Sequence, residues 1–172
     1  MVFKILILFC LAFLFYQDWR HRAVYWLVFP VMLVLLGGLS FSDSTLSSVS
    51  EYLIFNTGFL ISQLILLTIY FSVKEKRLVN ISRNHLGWGD ILFLFCLCFY
   101  LSPVNYLFFY ISSLFLLAVC AIVLVMRNGD RQVQIPLAGL QGLFFMLFLA
   151  ADWSSSSINL QDDSWLLSHF DL

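Results

Sequence analysis

The chain has 172 residues, of which 62% are hydrophobic and 11% are charged, and its mean hydropathy is +0.94. Soluble domains have about 45–50% apolar and about 25% charged residues, so this composition excludes an ordinary soluble protein and indicates an integral membrane protein whose first partner is the lipid bilayer. The net charge of -1 and the lack of a basic stripe argue against a nucleic-acid partner.

Six hydrophobic stretches follow one another, each near or somewhat short of the ~20 residues that cross a bilayer as a helix. They run from Val2 to Gln17, Ala23 to Leu39, Tyr52 to Val73, Gly89 to Leu101, Tyr106 to Met126 and Ile135 to Ala151. The fourth is the shortest and would need an earlier start or a locally thinned bilayer. We therefore predict an all-α polytopic membrane protein whose residues 1–151 form a core of six transmembrane helices.

Basic residues fall in alternate connectors between these stretches. Lys and Arg are enriched in cytoplasmic loops, so these connectors are predicted to face the cytoplasm. Six crossings then place both termini outside the cytoplasm, and residues 152–172, rich in Ser and Asp, are predicted to form a polar, flexible outward tail. Lys4 departs from the pattern but is outnumbered across its helix. The basic residues in question are Arg20 and Arg22, then Lys74, Lys76, Arg77 and Arg83, then Arg127 and Arg131.

The four cysteines, Cys10, Cys96, Cys98 and Cys120, all lie inside apolar stretches. Disulfide frameworks and zinc sites are usually built in polar loops, which these positions lack. We interpret the cysteines as small apolar side chains that fill space between helices. No metal site and no cofactor are predicted.

Two aspartates mark the predicted cytoplasmic ends of helices. Asp18 ends the first stretch, and Asp90 follows Gly87-Trp88-Gly89 at the head of the fourth. An ionisable residue at the edge of a membrane segment is a functional candidate. The topology argument used only Lys and Arg, yet it places both aspartates at the same membrane depth.

Two carboxyl groups that meet cannot easily ionise together, which leaves one protonated and one ionised at neutral pH. Such a pair can activate a water molecule and protonate a leaving amine, which is the chemistry of aspartic proteolysis. Gly87 and Gly89 would let a neighbouring helix or an extended substrate approach the backbone closely. The candidate site therefore comprises Asp18 and Asp90 as catalytic residues and Gly87 and Gly89 as the place of backbone approach.

Structural roles remain open for both aspartates. Asp18 could simply pair with Arg20 or Arg22 at a helix end, and Asp90 could be an acid in the first turn of a helix. A rival function is a non-catalytic membrane scaffold, or a carrier in which the acids bind a proton or cation. The carrier is less favoured because both acids lie at one membrane face instead of mid-bilayer.

Gly87-Trp88-Gly89-Asp90 resembles the GxGD motif of intramembrane aspartyl proteases, specifically that of type IV prepilin peptidases. Asp18 with the following Trp19-Arg20-His21-Arg22-Ala23-Val24 is similar to the first aspartate of that family, which precedes an Arg-rich turn and an aliphatic residue. Ile135-Pro136-Leu137-Ala138-Gly139 resembles the opening of the last core helix. The likeness spans Asp18 to about Gly142 and includes the number of helices.

The resemblance implies a core-only aspartic endopeptidase in the bacterial inner membrane, with its active site near the cytoplasmic face. Its substrates would be single-pass prepilin-like or pseudopilin-like proteins of type IV pili or protein secretion, cleaved at the leader without a cofactor. The chain departs from the family at three places. Tyr25 and Trp26 stand where the family usually has Pro-Asn, Leu92 replaces a Lys, and the late Pro-Phe-Gly-Pro pattern is reduced to Pro136-Leu137-Ala138-Gly139. The 74–86 connector is also too short for the cysteine-paired insertion of bifunctional members, so no zinc is expected.

Overall fold

The computed structural model describes residues 2–43, 45–76, 86–128, 136–154 and 158–169. Within these ranges the regular elements are all helices, which confirms the all-α prediction. Arg77, Arg83 and Arg131, three of the basic residues used for the topology, lie outside the described residues, as does Ile135. The helices are α1 (Val2–His21), α2 (Val28–Asp43), α3 (Leu46–Glu75), α4 (Trp88–Leu97), α5 (Pro103–Asn128), α6 (Leu137–Ser154) and α7 (Ser164–His169).

Four of the described helices, α1, α3, α5 and α6, are long and apolar enough to cross a membrane. Helices α2 and α4 are also apolar but have only 16 and 10 residues. Large apolar side chains such as Phe9, Phe115 and Met126 are more than two-thirds exposed on the outer surface. Such exposure is unfavourable in water and natural in lipid, because the hydrocarbon replaces a protein neighbour. The helices thus indicate a membrane-embedded protein.

Helices α1 and α6 form the centre of the fold and pack antiparallel to each other. A Cβ atom added to Gly142 of α6 would lie 3.2 Å from Leu14 Cδ2 of α1, so the glycine permits close contact at this crossing. At the far end the ammonium of Lys4 lies 4.9 Å from the centre of the Trp153 ring. This cation–π contact accounts for the one basic residue outside the charge pattern, because the ring stabilises the cation where lipid would not.

Helix α4 lies in the interior, against α2, α3 and α6. Its Phe93 is fully buried and meets Phe145 of α6 edge to face, with ring centres 6.4 Å apart. The short helix ends in a turn whose carbonyl groups need donors that lipid cannot supply. Buried Asn56 of α3 provides them, since its amide donates to the carbonyl oxygens of Leu101 at 2.7 Å and Cys98 at 3.4 Å.

Helix boundaries differ from the predicted stretches around the first connector. Helix α1 continues beyond Gln17 to His21, so that Asp18 lies on the helix and not after it. The polar residues at the end of the apolar run remain helical because their backbone hydrogen bonds still stabilise the helix. The helix stops before Arg22, whose φ of 50° is left-handed and whose N–H donates to the Asp18 carbonyl. Because a turn follows, α2 begins at Val28 and not at the predicted Ala23.

The flexible tail predicted for 152–172 requires correction. Helix α6 extends to Ser154, and residues 158–169 pack against the end of the bundle opposite Asp18 instead of extending outward. Fully buried Asn105 holds them, since its amide donates to the carbonyl oxygens of Asn159, Leu160 and Asp162 at 3.0–3.3 Å. Leu160 is itself fully buried. A composition rich in Ser and Asp suggests solvation, but here polar groups of the bundle bind the tail backbone.

Candidate active site

Asp18 lies in the last turn of α1 with only 8% of its surface exposed. Its Oδ2 accepts a hydrogen bond from the backbone N–H of Gly139 at 2.6 Å, and its carbonyl accepts the Arg22 N–H at 3.0 Å. The carboxyl group therefore binds the backbone of α6 and does not pair with the neighbouring Arg20. Its second oxygen, Oδ1, receives no hydrogen bond from the described part of the chain.

Asp90 lies in the first turn of α4, with 9% of its surface exposed. Its Oδ2 accepts the backbone N–H of Gly87 at 3.1 Å, while its own N–H donates to the Gly87 carbonyl, also at 3.1 Å. This reciprocal pair fixes the start of the helix. The Ala138 N–H and the charge of Asp18 both act on the Asp90 carboxyl group, which places that group beside the start of α6 as well.

The start of α6 is where the two aspartates come together. The first N–H groups of a helix have no partner in the helix itself, and the helix dipole favours negative charge there. Asp18 uses the N–H of Gly139, and Asp90 interacts with that of Ala138, the preceding residue. Two acids from helices far apart in sequence thus both lie near the start of a third helix.

Two glycines, Gly139 and Gly87, permit this arrangement. A Cβ atom at Gly139 would lie 3.0 Å from Asp18 Cβ and 3.1 Å from Asp18 Oδ2, which is too close for an unstrained contact. At Gly87 it would lie 3.1 Å from Asp90 Oδ2, whereas at Gly89 it would make ordinary contacts. Gly87 is exposed and Gly89 half-buried, so both line the accessible rim beside Asp90.

Gly139 is the site residue that the sequence reasoning missed. The sequence analysis treated Pro136-Leu137-Ala138-Gly139 only as the opening of a helix. A signal for this role was present in the sequence, because Pro136 predicts a helix start with accessible N–H groups on the residues that follow it. What sequence alone could not supply was the partner, since Asp18 is 121 positions away.

Three residues differ from the pattern of the family that the sequence resembles, and all three follow Asp18 or Asp90 closely along the chain. Tyr25 and Trp26 are more than two-thirds exposed in the α1–α2 connector, and Leu92 packs partly against the core. None of the three side chains contributes a polar group to the aspartate pair among the described contacts. The pair itself is therefore built without them.

The described residues contain no group of three or more His, Cys, Asp or Glu side chains arranged to hold a metal ion. Cys96 and Cys98 are buried with free thiols, and Cys10 and Cys120 are half-buried with free thiols.

No family model, no curated protein and no solved structure matches this chain. The proposed function therefore rests on the geometry of the aspartates, on the helix start that binds them and on the glycines beside them.

Proposed function

We propose that this protein is a membrane aspartic endopeptidase that cleaves the cytoplasmic leader peptide of prepilin-like or pseudopilin-like proteins. The observation that carries the proposal is the pairing of Asp18 and Asp90 at the start of α6. Two carboxyl groups from separate apolar helices are costly to bury together, and a purely structural role would need no such pairing. The likeness of Gly87-Trp88-Gly89-Asp90 to the GxGD motif supplies the reaction class.

In the proposed reaction the two carboxyl groups share one proton and hold a water molecule between them. The ionised aspartate takes a proton from the water as its oxygen attacks the scissile carbonyl, and the protonated aspartate donates its proton to the substrate. As the tetrahedral intermediate collapses, the aspartate that took the water's proton donates it to the nitrogen, and the other aspartate recovers a proton from a hydroxyl of the intermediate. The C–N bond breaks and the new amine is released. Oδ1 of Asp18, which accepts no hydrogen bond from the residues that the structure describes, is suited to contact this water, and the N–H groups of Ala138 and Gly139 stabilise the negative charge of the pair.

Exposed aromatic residues support a location at the membrane interface for this end of the molecule. Tyr and Trp side chains favour the interface because their rings are apolar and their polar groups remain hydrated. Every Tyr or Trp that is more than half exposed lies toward the aspartate end. The residues are Tyr16, Trp19, Tyr25, Trp26, Tyr70 and Trp88. Together with the basic residues at the same end, they favour the cytoplasmic face of a bacterial inner membrane in the six-span topology.

The depth of the pair also supports cleavage at the edge of a hydrophobic segment. From Lys4 to Asp18, helix α1 rises by about 21 Å at 1.5 Å per residue. A bilayer has a hydrocarbon core of about 30 Å, so if Lys4 lies at the outer boundary, the aspartates lie about 9 Å inside the inner one, in the inner half of the bilayer. A single-pass substrate would then present the junction between its leader and its hydrophobic segment at the rim formed by Gly87, Trp88 and Gly89.

The proposal is tested by coexpressing the chain with a single-pass prepilin-like substrate and following leader removal by gel shift and by the mass of the new N-terminus. Wild type should cleave, and Asp18→Asn and Asp90→Asn should each abolish cleavage while inserting normally into membranes. Asp162→Asn, which removes an exposed acid at the other end, is the matched control and should cleave like wild type. Normal cleavage by either site variant, or none by wild type, would refute the proposal and favour the scaffold or carrier.

A further inference from the structure

Gln17, the residue before Asp18, is a buried polar group with a contact that the reaction does not require. Only 4% of its surface is exposed. Its Oε1 accepts the backbone N–H of Tyr25 at 3.1 Å, across the connector between α1 and α2. A buried side-chain amide in an apolar bundle is costly unless its hydrogen bonds are made, so this bond fixes the connector against the end of α1.

The connector held by Gln17 also reaches the second aspartate. Val24 Cγ2 lies 4.0 Å from the position that a Cβ of Gly89 would occupy, and Phe29 Cζ lies 3.6 Å from it. The N–H of Val28 donates to the Tyr25 carbonyl at 3.0 Å, so Tyr25 also begins the first turn of α2. The peptide group bound by Gln17 therefore lies between α1, which carries Asp18, and the residues Val24 and Phe29, which pack against the start of α4.

We infer that Gln17 is a positioning residue for the aspartate pair. By holding the Tyr25 N–H, it keeps Val24 and Phe29 packed against Gly89 and so fixes the start of α4, and with it Asp90, relative to Asp18. Gln17 contacts neither substrate nor water in this role. The inference rests on the proposed function only where catalysis is measured, because the position of the connector can be measured by itself.

The test compares three variants of the full chain in detergent micelles. Gln17→Met keeps the length of the side chain but removes the acceptor, and Gln17→Glu keeps an acceptor oxygen. Gln141→Met is the matched control, since Gln141 is an equally buried glutamine on α6 that bonds Ser113 and not the connector. The first readout is hydrogen exchange of the Tyr25 amide by NMR, and the second is the kcat and KM of leader cleavage.

Exchange at Tyr25 should be about fivefold faster in Gln17→Met, the factor expected for one ordinary hydrogen bond. It should stay near the wild-type rate in Gln17→Glu and Gln141→Met. In the cleavage assay Gln17→Met should lower kcat about tenfold with little change in KM, because misplacement of reacting groups affects the chemical step.

The inference is overturned if Tyr25 exchange is unchanged in Gln17→Met, or if it rises equally in Gln141→Met. It is also overturned if exchange rises but kcat does not fall. A wild-type protein that cleaves no substrate would refute the proposed function instead, while the exchange data would still decide whether Gln17 holds the connector.

Discussion

The close contact of α1 and α6 at Gly139 yields the sharpest prediction, which concerns Gly139→Ala. The new methyl carbon would lie 3.0 Å from Asp18 Cβ, 3.1 Å from Asp18 Oδ2 and 3.4 Å from the Phe15 carbonyl oxygen. Two of these atoms are fixed by the backbone of one helix, so none can move away alone. The helices must separate, and the hydrogen bond from Gly139 to Asp18 must lengthen.

The size of the effect follows from opposing contributions. A hydrogen bond to a charged group contributes about 1.5–3 kcal/mol, and overpacking a tight contact costs about 1–3 kcal/mol. Alanine returns up to about 1 kcal/mol through its greater helix propensity. Because the hydrogen bond lengthens without being lost, we expect a net loss near the lower end of this sum, about 2 kcal/mol, which for a chain of this length lowers Tm by about 4–8 °C.

The measurement is thermal unfolding of the purified protein in detergent, with leader cleavage determined in parallel. Gly58→Ala is the control, because a Cβ at Gly58 of α3 would meet nothing within 4 Å. That variant should keep or slightly raise Tm and should cleave normally. A Gly139→Ala protein with the Tm and cleavage rate of wild type would refute the close contact between α6 and Asp18.

Three further predictions concern the supports of the fold. Asn56→Leu should lower the free energy of unfolding by about 1–3 kcal/mol, measured by denaturation in micelles, because it leaves the Leu101 carbonyl unpaired in an apolar interior. Asn105→Ala should release 158–169 to limited proteolysis without abolishing cleavage, and continued protection would contradict the docked tail. Hydrogen bonds from the Ser164 hydroxyl and N–H hold the pKa of Asp162 below its ordinary value. These hydrogen bonds should therefore stabilise the start of α7 at pH values above the ordinary pKa of Asp162, and they should be lost as pH falls through its lowered pKa. In Asp162→Ala this pH dependence, measured by amide exchange in α7, should be absent.

Helix content could be predicted from sequence because it rests on local information. Runs of apolar residues indicate membrane helices whatever their neighbours are, and α1 to α6 each lie in or across one predicted stretch. The alternation of basic connectors then predicted that Asp18 and Asp90 lie at the same end of the bundle, without information on how the helices pack. The structure places them together at that end, beside the start of α6.

Long-range contacts account for what the sequence did not predict. The role of Gly139 depends on α6 crossing α1 at Asp18, and the docking of the tail depends on the amide of Asn105. Neither contact has a local pattern, because a Gly in an apolar stretch or an Asn in a short connector fits many arrangements equally well. Lys4 is similar, since only the position of Trp153 explains a cation at the end of the bundle opposite the aspartates.

Cross-linking of the two site positions tests the central claim most directly. Asp18→Cys and Asp90→Cys would be combined and oxidised in native membranes, with Asp18→Cys plus Asp162→Cys as the control pair from opposite ends of the bundle. We predict rapid disulfide formation within one chain for the site pair and none for the control pair. Absence of a cross-link at positions 18 and 90, in protein that is inserted and folded, would contradict the account that these aspartates act together.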